Sequence, residues 1–528
     1  MASIVSVRLK VGLEVHVELA TRSKMFSRAP NGAHPEFDGA APNTLIDPTV
    51  LGLPGSLPVM NRAAVEMAML VGLALGCRVA EFTKWDRKGY FYPDLPKGYQ
   101  ISQYDLPLCA GGAVEVPAAD ERGFVLPEAP TRRVRITRAH LEEDAGKLLH
   151  EAPGGAPIDF SIVDLNRAGT PLLEIVTEPD FVAVQDVVMF AKMLRDLCRS
   201  LGVTQGVMQK GHMRFEPNIN TLLTLNDGRT VATPIVEIKN LNSFKSLAGA
   251  IVYELAEQPR RWERDGREMS PGSKTTRGWD DARGETYIQR EKEDAPDYRY
   301  FPDPDLPPVV VDAGWREAVR AKLPEPPMAR LLRYVKEFGL AAQEAAAITD
   351  ERGTCLLFER TIEAMAGLGI ERARAGRVAA NLLLQSGAKR ANERAVPIHE
   401  LGIGAGAIAG IAKLREDGRI SAAAADELFE ILCEAGARQR DSETARQGGE
   451  ADVEAIARER GMLLVRDDAA LDRWCDEAIA ANAQAAADVR AGKMQAVGRL
   501  VGAAMKSAGG HADAKAVRDR LLAKLGPA

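Results

Sequence analysis

The chain has 528 residues, of which 46% are hydrophobic and 27% charged, with a formal net charge of -6. That length holds roughly three domains at about 100–200 residues each, and the composition is that of a globular protein able to bury real cores. A globally basic nucleic-acid binder is excluded, although a local basic patch is not.

No apolar run approaches the ~18 residues of a membrane-spanning helix. The N-terminus carries no secretory h-region, so a cytoplasmic location is expected. Six cysteines, Cys77, Cys109, Cys198, Cys355, Cys433 and Cys475, lie far apart with no C-x-x-C pair. That spacing fits reduced, buried thiols rather than a disulfide framework or a thiolate zinc site.

In chain order, the first informative segment is Val11–Glu18, which alternates as a strand does. Val11, Leu13, Val15 and Val17 share one face, and Gly12, Glu14, His16 and Glu18 the other. A carboxylate–imidazole–carboxylate row backed by an apolar face suits hard-metal or proton-transfer chemistry. It equally suits an edge strand whose polar face meets water. Helices are expected at Arg62–Leu75, Val182–Leu201 and Ser243–Glu257, and strands at Val134–Ile136, Ile158–Val163, Leu172–Val176 and Val231–Ile238. Asn242 or Ser243 offers the N-cap of the third helix. This half is α+β, with a mixed or antiparallel sheet.

Four segments of this half add acids, the last being Glu237–Ser243 at the end of a strand. His140–Gly146 packs Glu142, Glu143 and Asp144 before a glycine. Glu174 sits inside the apolar run Leu172–Val176, where a carboxylate is costly unless paired, protonated or metal-bound. Met213–Asn218 alternates again, with Arg214, Glu216 and Asn218 on one face, and Pro217 reads as an edge or bulge. Carboxylates with one histidine suit Mg²⁺, which works with a nucleotide's phosphates.

Residues 300–310 are proline-rich and mark a boundary. The chain then turns Ala-, Arg- and Glu-rich with helical periodicity: Trp315–Lys322, Pro326–Glu337, Ala341–Thr349, Gly353–Met365, Arg372–Gln385, Ala405–Asp417, Ser421–Ala435 and Val453–Arg460. Gly402–Gly406 has no preceding strand and reads as a helix–helix connection rather than a dinucleotide loop. Gln439–Ala451 reads as a surface loop. The segment from Leu464 onward is helical and basic, with Arg490, Lys493, Arg499, Lys506, Lys515, Arg518, Arg520 and Lys524. Such a tail either meets a phosphate backbone or is a solvated helix face. The domains expected are 1–300, 301–463 and 464–528. No Walker loop, kinase set, H-E-x-x-H or G-x-S-x-G is present.

Long strings in this order resemble the GatB family, the B subunits of the tRNA-dependent amidotransferases. They are Gly12–Glu18, Leu51–Val59, Arg87–Gln103, His140–Lys147, Asp164–Asp180, Glu237–Phe244, Gly284–Thr286, Asp297–Pro307, Gly492–Lys493 and Leu500–Lys506. The resemblance implies a cradle domain, a helical domain and a helical tail that holds tRNA. It implies ATP- and Mg²⁺-dependent phosphorylation of the side-chain carboxylate of misacylated Glu-tRNA(Gln) or Asp-tRNA(Asn), followed by displacement of phosphate by ammonia. The implied metal ligands are Glu14, His16, Glu143, Glu174 and Glu216, with Lys88, Glu142 and Glu143 toward the nucleotide. Spacing does not choose between Glu142 and Glu143. No amidase signature is present, so the implied partners are an amidase-type glutaminase (GatA) and a small third protein (GatC), in a heterotrimer without membrane attachment.

Three departures stand out. Where many members carry four cysteines, this chain has Ser27, Ala29, Asp47 and Val50, so no zinc is expected. Gln209-Lys210 replaces an acid pair, and Glu216 an aspartate. Leu148–Pro157 is longer than usual and reads as a surface loop. Gln209-Lys210 motivates a competing reading, a non-catalytic tRNA-binding scaffold of the same family. A generic metal-dependent hydrolase would act without tRNA.

Overall fold

The computed structural model describes residues 3–152, 155–290, 298–440, 452–464, 468–509 and 512–526. The chain divides into two units, Met1–Arg330 and Leu331–Ala528.

The first unit is built on one large sheet. Its strands run, in spatial order, Glu285–Arg290, Thr275–Asp280, Val236–Lys239, Met213–Leu225, Ile4–Glu18, Pro171–Thr177, Arg132–Glu143, Cys109–Val116 and Arg78–Val79. All neighbours are antiparallel except Val236–Lys239 with Thr275–Asp280. The Ile4–Glu18 strand is therefore central, which removes the edge-strand reading of Val11–Glu18. Its alternation holds: Val11, Leu13, Val15 and Val17 are fully buried, each contributing about 1.5–3 kcal/mol of hydrophobic burial.

Met213–Leu225 is also an interior strand, contrary to the edge reading taken from Pro217. Its pairing with Val236–Lys239 covers only Asn218 and Ile219 and stops short of Pro217, so the missing N–H deprives no ladder. Pro234 likewise splits the expected strand Val231–Ile238 into Thr230–Ala232 and Val236–Lys239. Leu148–Pro157, read as a loop, belongs to a surface hairpin of Lys147–Glu151 and Pro157–Asp164, of which residues 153 and 154 lie outside the described chain.

Helix Val184–Ser200 buries Val187, Phe190, Ala191, Leu194, Leu197 and Cys198, a helical stripe that covers the core. Helix Phe244–Asp265 is capped by Ser243, whose Oγ accepts from Ser246 N. It runs through Pro259, past the expected end at Glu257, and stops at Gly266 in the left-handed conformation. The extra turns are held because Trp262 packs on Leu223, Leu225 and Val231 and Arg261 reaches back to Glu254.

The proline-rich stretch stays with this unit. Phe301–Pro302 pairs with Asp86–Arg87, and Val309–Val310 with Phe82–Thr83. Helix Ala313–Arg320 packs on helix Arg62–Ala74, with Trp315 Nε1 donating to Glu66. These pairings hold residues 301–320 in the first unit, which runs to Arg330.

Apart from the isolated bridge Ile420–Leu463, the second unit is built from helices among its described residues, including Arg352–Gly367, Arg372–Leu382, Ala405–Glu416, Ala422–Arg440 and Val453–Glu459. Gly402 and Gly404 lie in the connection before Ala405–Glu416. Helix Ala422–Arg440 outruns the expected end at Ala435, and residues 441–451 of the expected loop lie outside the described chain. The last helices, Asp468–Ala481 to Ala514–Leu525, share their own core around Leu500, Ala504, Val517 and Leu521. Among the described residues no helix is long and apolar enough to cross a membrane. All six cysteines are buried, and none is joined in a disulfide among the described residues.

Candidate functional site: a carboxylate and histidine face on the central sheet

Side chains directly opposite in antiparallel strands point the same way, about 4.5–5.5 Å apart. The register therefore sets His140, Glu174, His16 and Arg214 in one row across four strands. Glu14 and Glu216 face each other in the next row, and Asn218 lies opposite Glu237. The remote segments of the sequence meet on one sheet face.

Two clusters form there. His16, Glu142 and Glu174 bring one ligand atom each within 4.8 Å of one another, and Glu14, Glu216 and Glu237 do the same. His16 links them: its Nε2 is 3.6 Å from Glu174 Oε2 and its Nδ1 3.8 Å from Glu216 Oε1. His140 Nε2 also lies 3.6 Å from Glu174 Oε2.

Charge is balanced around the clusters. Lys239 Nζ is 2.8 Å from Glu216 and 3.1 Å from Glu237, and Lys274 Nζ is 2.7 Å from Glu237. Asn218 Nδ2 donates to Glu14 at 2.9 Å. Arg214 Nη2 donates to Asp144 at 2.8 Å, and Arg214 Nη1 lies 3.8 Å from Glu18. Lys88 stands over Tyr298 and Tyr90, 5.0 and 5.7 Å from their ring centres.

Protonation follows from these neighbours. Burial disfavours the charge on His16, but Glu174 and Glu216 outweigh it and raise its pKa. Burial lowers His140 to about 4, so its ring is neutral. Burial disfavours the Glu174 carboxylate, yet the hydrogen bond and positive charge of His16 hold it well below the usual range. Burial, then Glu174, raises Glu14 and Glu142. Glu18 is pushed up to about 7 by burial and Asp144. Burial opposes ionisation of Asp144, but Arg214 and Arg167 bring it down to about 2.

This donor set fits a hard divalent cation. It is rich in carboxylate oxygen, and the buried His16 Nδ1 has no hydrogen-bond partner among the described residues.

Of the residues singled out by sequence, Glu14, His16, Glu142, Glu174 and Glu216 come together, and Lys88 bears on Glu142 electrostatically. Glu143 does not join them as a ligand. Strand alternation turns it to the other face, where it accepts from Lys97 Nζ and from Ile101 N, the latter at 3.0 Å. Sequence reading quoted Glu237 and Lys239 at a strand's end but placed neither at the site, and it did not single out Lys274. The first two were signalled by the same alternation in Val236–Lys239, with Val236 and Ile238 buried on the opposite face.

The four positions compared with cysteines are otherwise engaged. Ala29 and Val50 pack with Ala168 in a small apolar cluster. Ser27 Oγ accepts from Ala29 N, and Asp47 Oδ1 accepts from Val50 N. Fully buried Lys24 donates to Ala168 O at 2.6 Å and ties this segment to the 165–168 turn. Lys210 of the departing pair donates to Asp38.

Comparison with known proteins identifies the family. The GatB/GatE catalytic domain matches residues 9–317, and the GatB domain residues 363–525. The aspartyl/glutamyl-tRNA(Asn/Gln) amidotransferase B subunit of Thermomicrobium roseum is 43% identical, covering 97% of each chain. The protein of the same name from Burkholderia thailandensis is 42% identical over 98% of this chain and 99% of its own. That of Rhodopirellula baltica is 40% identical over 97% and 95%. With the catalytic domain matched over most of the first unit and relatives aligned nearly end to end, the chain belongs to the GatB family.

Proposed function

We propose that this chain is the B subunit of a tRNA-dependent amidotransferase that converts misacylated Glu-tRNA(Gln), Asp-tRNA(Asn) or both to the amide, using ATP and Mg²⁺. The observation that carries this reading is the convergence of Glu14, His16, Glu142, Glu174, Glu216 and Glu237 on one sheet face. A side-chain carboxylate oxygen of the aminoacyl group attacks the γ-phosphorus of ATP and ADP leaves, giving an acyl phosphate. Ammonia then forms the C–N bond, and the C–O bond to phosphate breaks. Phosphoryl transfer of this kind depends on alignment and charge neutralisation rather than on covalent help from the protein.

Glu14, His16, Glu142, Glu174, Glu216 and Glu237 would hold Mg²⁺, which neutralises phosphate charge when bound. Lys239 and Lys274 stand ready to exchange their carboxylate partners for phosphate oxygens. The proton that nitrogen sheds as the C–N bond forms passes to the departing phosphate. The chain carries no amidase signature, so ammonia comes from the glutaminase GatA, with the small protein GatC completing the heterotrimer. The test is ATP- and glutamine-dependent conversion of Glu-tRNA(Gln) by the chain purified with those partners. Formation of Gln-tRNA, abolished by Glu174→Gln with tRNA binding intact, supports the reading. tRNA binding by the wild type without any phosphorylation would favour the scaffold reading instead.

A further inference from the structure

The reverse side of the same sheet edge carries a different chemistry. In the parallel pairing of Val236–Lys239 with Thr275–Asp280, Val236 lies opposite Thr275 and Ile238 opposite Arg277. These residues share the face turned away from Glu237 and Lys239. Between them and helix Phe244–Asp265 lies a cavity of about 320 Å³. Its lining includes Arg261, Arg264, Arg267 and Arg277, against the acids Glu257 and Asp265.

Among the described residues, the charges under this cavity do not cancel. Glu254, fully buried, is the carboxylate for two guanidinium groups. Arg261 binds it through both terminal nitrogens at 2.8 and 2.9 Å, and Arg277 Nε lies 3.6 Å from it. Arg277 spends Nε and Nη2 on Thr286, at 2.8 and 2.9 Å. Its Nη1 makes no hydrogen bond among the described residues, although the side chain is only 14% exposed. Burial and the neighbouring Arg261 cation both disfavour the charge on Arg277, a cost that a bound anion would relieve.

At the rim, Asp265 is occupied by the backbone N–H of Arg267, and Glu257 by Arg260 and Arg264. The Arg267 side chain is exposed and, among the described residues, forms no ion pair with a carboxylate. Trp262 and Tyr253 supply aromatic surface, and the Trp262 indole N–H is buried without an acceptor.

We infer that this cavity binds a phosphate monoester of nucleotide size, with its phosphate on Arg277 and Arg267 and its ring against Trp262 or Tyr253. Guanidinium forks match phosphate oxygens geometrically, and aromatic faces accept a base by stacking. The volume is at the small end for ligand pockets, which favours a mononucleotide over a longer chain. The site is separate from the carboxylate face, because the two lie on opposite sides of one pair of strands.

The test is calorimetric titration of the full chain with AMP, orthophosphate and adenosine, all in EDTA so that metal-dependent nucleotide binding contributes nothing. AMP is expected to bind more tightly than orthophosphate, and adenosine more weakly than either. Arg267→Gln, an exposed rim change, is expected to weaken AMP about ten-fold, as loss of one charge-assisted contact does. Arg277→Lys is expected to weaken it at least as much, with its urea midpoint reporting whether the fold survives. Glu174→Gln, on the other face, is expected to leave AMP affinity unchanged. No AMP binding by the wild type at millimolar concentration would overturn the inference. So would AMP affinity indifferent to Arg267→Gln, or adenosine binding as tightly as AMP. Equal affinity for AMP and orthophosphate would overturn the nucleotide part.

Discussion

Glu142 and Glu143 are adjacent in sequence but serve opposite faces of one strand. Glu142 joins His16 and Glu174, whereas Glu143 is bound to Lys97 and to the backbone N–H of Ile101. If the carboxylate cluster holds a metal ion, the pair separates a metal-binding role from a structural one. Glu142→Gln is expected to weaken Mn²⁺ binding about ten-fold or more, as loss of a metal-site carboxylate commonly does. Glu143→Gln is expected to leave Mn²⁺ affinity nearly unchanged and to lower stability by on the order of 3 kcal/mol, because it strands the buried Lys97 ammonium. Paramagnetic titration and urea unfolding of both variants read the two effects.

Lys239 bridges Glu216 and Glu237 and so competes with any cation for them. Lys239→Met is expected to tighten Mn²⁺ binding in the absence of nucleotide. The same change is expected to slow amidation about 100-fold through loss of phosphate-side charge. Opposite signs for metal affinity and turnover distinguish this role from general damage to the fold.

Glu18 gives stability a pH dependence. Its folded pKa is about 7 against an ordinary 4.5, so between those values the folded state keeps a proton that the unfolded chain releases. Stability attributable to Glu18 therefore falls as pH rises from about 4.5 to about 7. Glu18→Gln is expected to flatten the urea midpoint across that window. An unchanged slope would show that Glu18 does not titrate there.

Gly72, inside helix Arg62–Ala74, leaves room for Cys109. A Cβ at residue 72 would lie 2.4 Å from Cys109 Sγ and 2.9 Å from its Cβ. Gly72→Ala gains roughly 1 kcal/mol of helix propensity but meets a fully buried neighbour, and overpacking costs about 1–3 kcal/mol. Net destabilisation in urea is the expected outcome.

In the tail, Lys493, Arg520 and Lys524 are tied to Asp488, Asp468, Asp472 and Asp476. Arg499 and Lys506, on helix Val497–Ser507, form no such ion pair among the described residues. If the tail holds tRNA, the double change Arg499→Ala with Lys506→Ala weakens tRNA binding and flattens its salt dependence, by roughly 0.7–0.9 in slope per lost phosphate contact. Filter binding across a salt series measures both.

The sequence made the apolar side of the site legible because strand alternation is local. Val11, Leu13, Val15 and Val17 declare their face without help from the rest of the chain. Glu174 declared itself by cost, as a carboxylate in an apolar run. Spacing could not choose between Glu142 and Glu143, since both lie in the same strand and only its partners decide which face is the site. Glu237 was noted but not placed at the site because its strand is short and Pro234 interrupts the run before it. Pro217 misled for a related reason: a missing N–H matters only where a neighbour would have used it. The helix through Pro259 shows tertiary packing at Trp262 overriding a local breaker.

The central place of Ile4–Glu18 has a consequence for biosynthesis. The strand is synthesised before both of its neighbours, Pro171–Thr177 and Met213–Leu225. At about 5–20 residues per second, its apolar row waits on the order of 10–40 s for the second partner. During that interval Val11, Leu13, Val15 and Val17 form an unpaired strand rich in β-branched side chains, the kind of segment that self-associates. The nascent chain is thus a natural client for a holding chaperone until residue 225 has emerged.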